Sequence, residues 1–198
     1  MPNIVNVAYG SCNYYVIEGD RASLLVDVGW PETLPRLQHE CRRMDIDLGR
    51  VSHLLVTHYH PDHGGLAREL QLYGITLVVL ENQSPGLDWL NQFLRSKGYR
   101  HDILADEGLA LQTAQSRSFL RGLGLAGEVL VTAGHSDDSV TLILDSGEAF
   151  TGDLPAPQIA AYRGPAALES WARVQGRVPK MAWPFFSSHA PRPRRRAS

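Results

Sequence analysis

The strongest constraint on this chain is a nine-residue segment that places three histidines and one aspartate within six positions: Thr57-His58-Tyr59-His60-Pro61-Asp62-His63-Gly64-Gly65. Residues two apart on an extended chain point to the same side, so His58 and His60 can converge on one ion. The chain must turn at Pro61, which lets Asp62 and His63 face a second position, and the two glycines permit close backbone approach. Imidazole and carboxylate ligands together favour Zn²⁺ and also suit Fe or Mn.

Four more short motifs carry Asp or His in an ordered series along the chain: Leu25-Val-Asp-Val-Gly29, Gly134-His135-Ser136, Thr151-Gly152-Asp153 and Ser188-His189-Ala190. Together with the HxHxDH segment after an apolar strand, this series resembles the motifs of the metallo-β-lactamase superfamily. The resemblance covers nearly the whole chain. It implies an α/β fold, the four-layer αββα metallo-β-lactamase sandwich. We expect one such domain over residues 1–190 and a basic disordered tail over residues 191–198.

Carried over residue by residue, the resemblance implies a site for two divalent metal ions, with Zn²⁺ as the first choice and Mn or Fe as alternatives. Two aspartates receive roles close to the chemistry. Asp62 can orient the attacking water as well as bind metal, and Asp27 holds a ligating imidazole by a hydrogen bond. The implied ligands are His58, His60 and His135 for the first ion, Asp62, His63 and His189 for the second, and Asp153 bridging the two.

The resemblance further implies a hydrolase in which a metal-bridged hydroxide cleaves an ester, lactone or thioester bond. Two alternatives stay open, a mononuclear iron oxidoreductase similar to the persulfide dioxygenases and a phosphodiesterase. A non-enzymatic metal-binding domain is disfavoured by the complete ligand set. For substrate contacts we single out Tyr59, Tyr162 and Arg163, because aromatic rings pack on ligands and an arginine can grip a carboxylate or phosphate. Lactonases of the family carry a tyrosine where this chain has Ala156.

Hydrophobic periodicity predicts a chain that is rich in strands, then mixed, then rich in strands and mixed again. This order suits two similar α/β halves packed face to face. The predicted strands are Asn13–Glu18 and Ser23–Val28 as a hairpin, Val51–Thr57, Ile75–Leu80, Glu128–Thr132, Val140–Leu144, Ala149–Thr151 and Lys180–Phe186. The predicted helices are Pro31–Met44, Leu66–Tyr73, Leu87–Lys97 and Ala166–Gln175.

Charge and hydropathy narrow the class of partner. Of 19 lysines and arginines, four lie in the last seven residues, which leaves 15 basic residues against 21 acidic ones in the body. The sequence thus has no basic stripe of the kind that nucleic-acid binding requires. The longest apolar runs are too short to span a bilayer, and Met1–Gly10 lacks the pattern of a signal peptide. We expect a cytoplasmic monomer or homodimer that acts on a small-molecule substrate and binds neither nucleic acid nor membrane.

The two cysteines, Cys12 and Cys41, lack the CxxC spacing of thiolate metal sites. We therefore expect free thiols that take no part in metal binding. The sequence also offers no serine or cysteine nucleophile, since it contains no GxSxG motif and neither Ser11 nor Cys12 adjoins an obvious base. The chemistry is expected to depend on metal alone.

Overall fold

The structure, a computed structural model, describes residues 1–178 and the backbone of residues 185–187. Within those residues the chain forms ten β-strands and seven α-helices. The strands are β1 (Asn3–Asn6), β2 (Tyr15–Glu18), β3 (Ser23–Val26), β4 (Val51–Leu55), β5 (Thr76–Leu80), β6 (Leu109–Leu111), β7 (Gly127–Val131), β8 (Val140–Leu144), β9 (Ala149–Gly152) and β10 (Phe185–Ser187). The helices are α1 (Leu34–Arg43), α2 (Pro61–Gly64), α3 (Ala67–Leu72), α4 (Ser84–Ser96), α5 (Ser116–Leu123), α6 (Pro157–Arg163) and α7 (Pro165–Gln175). In the described part of the chain, none of the helices has the length and apolar character needed to cross a membrane.

The strands form two sheets. The first has the order β1-β2-β3-β4-β5-β6, antiparallel from β1 to β3 and parallel from β3 to β6. The second has the order β10-β9-β8-β7, with β8 antiparallel to both β7 and β9 and with β10 parallel to β9. Strands β7 and β9 therefore run in the same direction, so their carboxyl ends lie at the same edge of the second sheet.

Three hydrophobic clusters separate four layers. Consecutive residues of β3 point to opposite faces. Leu25 lies in the cluster beneath α1, α3 and α4, and Leu24 lies in the cluster between the sheets. Strand β8 does the same, since Leu142 packs between the sheets and Ile143 packs against α6 and α7. Both sheets are thus covered on their two faces, which explains why inner strands such as β3, β5 and β8 are apolar along nearly their whole length. The αββα sandwich expected from the resemblance is confirmed.

Most predicted elements are present with shifted ends. The hairpin is confirmed, with Tyr15 opposite Val26 across the antiparallel pair β2 and β3. Helix α1 begins at Leu34 and not at Pro31, because Glu32 has a φ of +63°, which no helical residue adopts. The predicted strand Lys180–Phe186 is present only as β10, and its residues 180–184 lie outside the described residues.

Three elements of the structure, β6, α5 and α6, were not predicted from the sequence. After Leu109 we predicted strands and a single helix, Ala166–Gln175, yet residues 116–123 form α5. Its buried residues Ser116, Leu120 and Leu123 are spaced four and three apart, which is helical spacing, and they face the sheets. Gly122 and Gly124 made this segment resemble a turn, so tertiary packing and not local propensity determines its structure.

Candidate metal centre

The histidine-rich segment folds as an extended loop that turns sharply into α2. It follows β4, and His60 still has extended backbone angles, with φ −83° and ψ 155°. Pro61 opens α2, where its missing N–H leaves no hydrogen bond unmade, and Asp62 lies in the first turn. A side chain at Gly65 would overlap the carbonyl oxygen of Pro61, so only glycine permits this tight turn.

Three imidazole nitrogens from two distant segments converge on one point. The Nε2 atom of His58 lies 3.1 Å from Nδ1 of His60, and Nε2 of His135 lies 3.0 Å from that same Nδ1 atom. Two nitrogen ligands on one tetrahedral Zn²⁺ are separated by about 3.3 Å, given Zn–N distances near 2.0–2.1 Å. The three nitrogens therefore have the spacing of ligands that share an ion.

Asp153 connects this group to His63. One of its carboxylate oxygens lies 3.5 Å from Nε2 of His63, and the other lies 3.8 Å from Nε2 of His135. These separations exceed a hydrogen bond but suit two atoms held by a common cation. The loop after β9 thus places one carboxylate between the two histidine groups.

A second set of ligand atoms comes from Cys12, Asp62 and His63. The Oδ2 atom of Asp62 is 3.9 Å from Nε2 of His63, and the Sγ atom of Cys12 is 3.1 Å from that Oδ2 atom. One ligand atom from each of these three residues lies within 4.8 Å of the others. Both cysteines are free, as expected. The expectation that Cys12 adjoins no obvious base was wrong, because the loop before β2 folds back over Asp62 and brings the Cys12 thiol to its carboxylate.

Asp27 fixes the position of the His63 ring by a hydrogen bond. Its Oδ2 atom lies 3.0 Å from Nδ1 of His63, and its carboxylate also accepts hydrogen bonds from Thr57 N at 2.6 Å and Thr57 Oγ1 at 2.8 Å. Asp27 is buried and has a φ of +59°, a conformation that is costly for any residue other than glycine. This contact leaves Nε2 of His63 directed at Asp62 and Asp153.

The pKa values differ sharply among the histidines of the metal-free protein. Burial, with a smaller contribution from His63, lowers the pKa of His58 well below its usual value, and burial also lowers that of His135. For His63 the effect of burial is outweighed by the carboxylates of Asp27 and Asp153, so its pKa is raised well above the usual value. Neutral imidazoles at His58 and His135 suit metal binding, which requires deprotonated nitrogen.

One glycine allows the two sheets to approach each other at the site. Gly152 ends β9 with a φ of +55°, and a side chain there would overlap Oγ1 of Thr57. The nearest ring atom of His58 would lie 3.5 Å from that side chain. The carboxyl ends of β4 and β9 therefore meet edge to edge, which places Asp153 beside the histidines.

An open cavity of about 420 Å³ lies against His135 and Asp153, and Arg163 also lines it. Of the predicted substrate contacts, only Arg163 is brought to this cavity. The Tyr162 side chain is 88% exposed to solvent. The Tyr59 side chain is 1% exposed and packs in the cluster beneath α1, α3 and α4, so a substrate cannot reach it.

An aromatic surface borders the histidines on another side. The ring of Trp89 in α4 lies 5.6 Å from that of His60 and stacks on Phe93, which in turn contacts Trp30. Trp30 and Trp89 are both half-exposed. Trp89 was not predicted to lie at the site. Its spacing of four residues from Phe93 on a predicted helix indicates that the two rings share one face, and this pattern could have identified it.

The structure thus brings together six of the seven predicted ligands, and the seventh, His189, lies outside the described residues, as does the predicted tail. Comparisons with known proteins bear on the family. The sequence profile of the Metallo-beta-lactamase superfamily matches residues 7–165. A β-lactamase from Chitinophaga pinensis has a similar structure, with a TM-score of 0.66 and 15% sequence identity over 95% of this chain and 76% of that chain.

Two curated relatives are similar in sequence. One is a probable metallo-hydrolase, YqjP, from Bacillus subtilis (strain 168), which is 27% identical over 74% of this chain and 53% of its own length. The other is an atrochrysone carboxyl ACP thioesterase from Claviceps purpurea (strain 20.1), which is 30% identical over 73% of this chain and 40% of its own length. This chain therefore spans about half of the relatives that it matches.

Proposed function

Because this chain belongs to the metallo-β-lactamase superfamily, we propose that it is a hydrolase that holds two divalent ions, Zn²⁺ first and Mn or Fe as alternatives, and cleaves an ester, lactone or thioester bond. One observation carries the proposal. The Nε2 atoms of His58 and His135 lie 3.1 and 3.0 Å from Nδ1 of His60, although His135 is supplied by a segment 75 residues further along the chain. His58 is buried and His60 is partly buried, and polar nitrogens removed from water in this way are costly unless they are bound.

The residues fit two ions on the geometry of this structure. His58, His60 and His135 would hold the first ion, and Asp62 and His63 would hold the second, together with His189 as the resemblance implies. Asp153 faces both groups with different oxygens, which suits a bridging ligand. Two such ions, when bound, lower the pKa of a shared water towards neutrality and polarise the bond that is cleaved.

The protein's own groups would then orient and stabilise the reactants. Asp27 fixes the tautomer of His63 by accepting its Nδ1 hydrogen bond. The Asp62 carboxylate, which is partly exposed, can accept a hydrogen bond from the attacking water and direct its lone pair to the substrate. Arg163, which lines the same cavity as His135, can hold an anionic group of the substrate.

The ester or thioester class is supported by the relative named as an acyl-carrier-protein thioesterase and by the open cavity, which leaves His135 and Asp153 accessible. The proposal extends to a cytoplasmic monomer or homodimer that acts on a small molecule. Acidic residues outnumber basic ones 21 to 19, which supports a substrate other than nucleic acid.

The test is turnover of a panel of nitrophenyl esters, lactones, thioesters and phosphodiesters by Zn²⁺-loaded protein. We expect hydrolysis of at least one carboxylic ester, lactone or thioester. Replacing Asp62 with asparagine should abolish that turnover, whereas His39→Gln, at an exposed position outside the site, should leave it unchanged. Hydrolysis confined to phosphodiesters would overturn the assignment of bond type, and undiminished turnover by the Asp62→Asn variant would overturn the assignment of the site.

A further inference from the structure

Cys12 lies inside the ligand cluster, although nothing in its local sequence indicates a metal site. It belongs to the connection between β1 and β2, and its side chain is 1% exposed. Its Sγ atom lies 3.1 Å from Oδ2 of Asp62, a residue 50 positions away, and within 4.8 Å of a ring nitrogen of His63. The thiol thus lies beside both residues that the proposed function gives to the second ion.

The spacing of the three ligand atoms matches a coordination sphere. With Zn–S near 2.3 Å and Zn–O near 2.0 Å, a sulfur and an oxygen bound to one tetrahedral Zn²⁺ lie about 3.5 Å apart. The structure has 3.1 Å between Cys12 Sγ and Asp62 Oδ2, and 3.9 Å between that oxygen and Nε2 of His63. No pair in this set is separated by more than 4.8 Å. A single ion can therefore reach all three atoms.

Cys41 provides the contrast within the same chain. It is also a free cysteine with 1% exposure, and both thiols belong to the same hydrophobic cluster beneath α1, α3 and α4. Among the described residues, Cys41 belongs to none of the groups of atoms that could hold a metal ion, whereas Cys12 belongs to one. Burial in this cluster therefore does not by itself bring a thiol to other ligand atoms. The position of Cys12 between a carboxylate and an imidazole needs a separate cause, because a thiol is only a weak hydrogen-bond donor.

We propose that Cys12 is a ligand of the second metal position, together with Asp62 and His63. The inference rests on the proposed function, which supplies the metal ions, and adds a sulfur ligand that the motifs do not contain. On binding, the thiol gives its proton to solvent as the bond from sulfur to metal forms, and no oxidant or reductant takes part. A thiolate ligand shifts this position towards Zn²⁺ and away from Mn²⁺, which prefers oxygen ligands.

Cobalt substitution tests the sulfur ligand directly. The metal-free protein is loaded with Co²⁺, its metal content is measured by elemental analysis, and its near-ultraviolet spectrum is recorded. A thiolate bound to Co²⁺ produces an intense charge-transfer band there, which oxygen and nitrogen ligands do not. We expect this band in the unmodified protein, its loss in Cys12→Ser with cobalt still bound at the first position, and its retention in Cys41→Ser.

Zinc affinity gives a second readout that does not depend on activity. In competition with a chromophoric chelator, Cys12→Ser should bind one of its two zinc ions at least about 10-fold more weakly, with the other unchanged. Cys41→Ser should bind both as the unmodified protein does. If Cys41→Ser fails to fold, Cys41→Ala serves as the same control.

The outcomes separate this inference from the proposed function. If the unmodified protein binds two cobalt ions without the charge-transfer band, or if Cys12→Ser retains the band, the assignment of Cys12 is overturned while the two-metal site stands. If the protein binds no cobalt at all, both the proposed function and this inference fail.

Discussion

Replacing Asp27 with asparagine should weaken metal binding without unfolding the protein. The carboxylate accepts hydrogen bonds from Thr57 N, Thr57 Oγ1 and His63 Nδ1, at 2.6, 2.8 and 3.0 Å. An asparagine has the same shape but only one acceptor oxygen, so its amide group must face one of these donors. The unfolding free energy should fall by about 1–3 kcal/mol, the cost of one buried donor left without an acceptor.

The effect on metal affinity comes from the tautomer of His63. If the new amide donates to Nδ1, the ring must carry its proton on Nε2, the atom that faces Asp62 and Asp153. A nitrogen that carries a proton cannot bind metal. Outer-shell partners of this kind typically contribute 10–100-fold in metal affinity, which corresponds to about 1.4–2.7 kcal/mol. We expect a loss of that size at the ion that His63 binds.

The assay is competition for Zn²⁺ against a chromophoric chelator, with the fold checked by circular dichroism. Asp138→Asn is the matched control, because the buried Asp138 carboxylate accepts a hydrogen bond from Tyr59 N at 2.7 Å and so holds the same loop. It does not touch His63. Unchanged zinc affinity in Asp27→Asn would refute the argument, and an equal loss in both variants would assign the effect to the loop and not to the imidazole.

Three further predictions concern the backbone strain at Gly152, the contact of Trp89 with substrate and the pH dependence of metal binding. Gly152→Ala should lower the unfolding free energy by more than the roughly 1–2 kcal/mol that positive φ costs, because the added methyl group would also overlap Thr57. Chemical denaturation measures this loss, and Gly10→Ala is the control, because Gly10 also has a positive φ, of +74°, but has room for a methyl group. Trp89→Ala should raise KM for an aryl ester several-fold and leave that for an acetate ester unchanged in steady-state assays, since the exposed ring borders the site. Burial opposes a charge on His63, but the carboxylates of Asp27 and Asp153 raise its pKa well above the usual value, so protons should compete with metal at this imidazole and metal binding should weaken as the pH falls. Calorimetry in two buffers of different ionisation enthalpy counts the protons released, and Cys12→Ser removes the one that the thiol contributes.

The sequence was sufficient where the chemistry is local. The alternation of His58 and His60, and the turn at Pro61 that redirects His63, follow from backbone geometry within six residues, and the structure has both. Most strands of the core were predictable from apolar runs, although the short edge strand β6 was not, and the αββα architecture required the resemblance of five ordered motifs to a known family.

The sequence was not sufficient where contacts join distant segments. Cys12 reaches Asp62 across 50 residues, so its spacing in sequence carried no signal. Tyr59 lies between two predicted metal ligands in sequence, yet the alternation that turns those histidines towards the site turns its ring into the core. Trp89 reaches the site only because α4 packs beside the loop after β4, which local patterns do not encode.

The most direct test of the two-metal site is the metal content of protein purified without added metal or chelator, measured by elemental analysis per chain. We expect about two equivalents of divalent metal, chiefly zinc, because His58, His60 and His135 form one group of ligand atoms, Asp62 and His63 belong to another, and Asp153 lies between them. A single equivalent of iron would contradict it and would favour the oxidoreductase alternative.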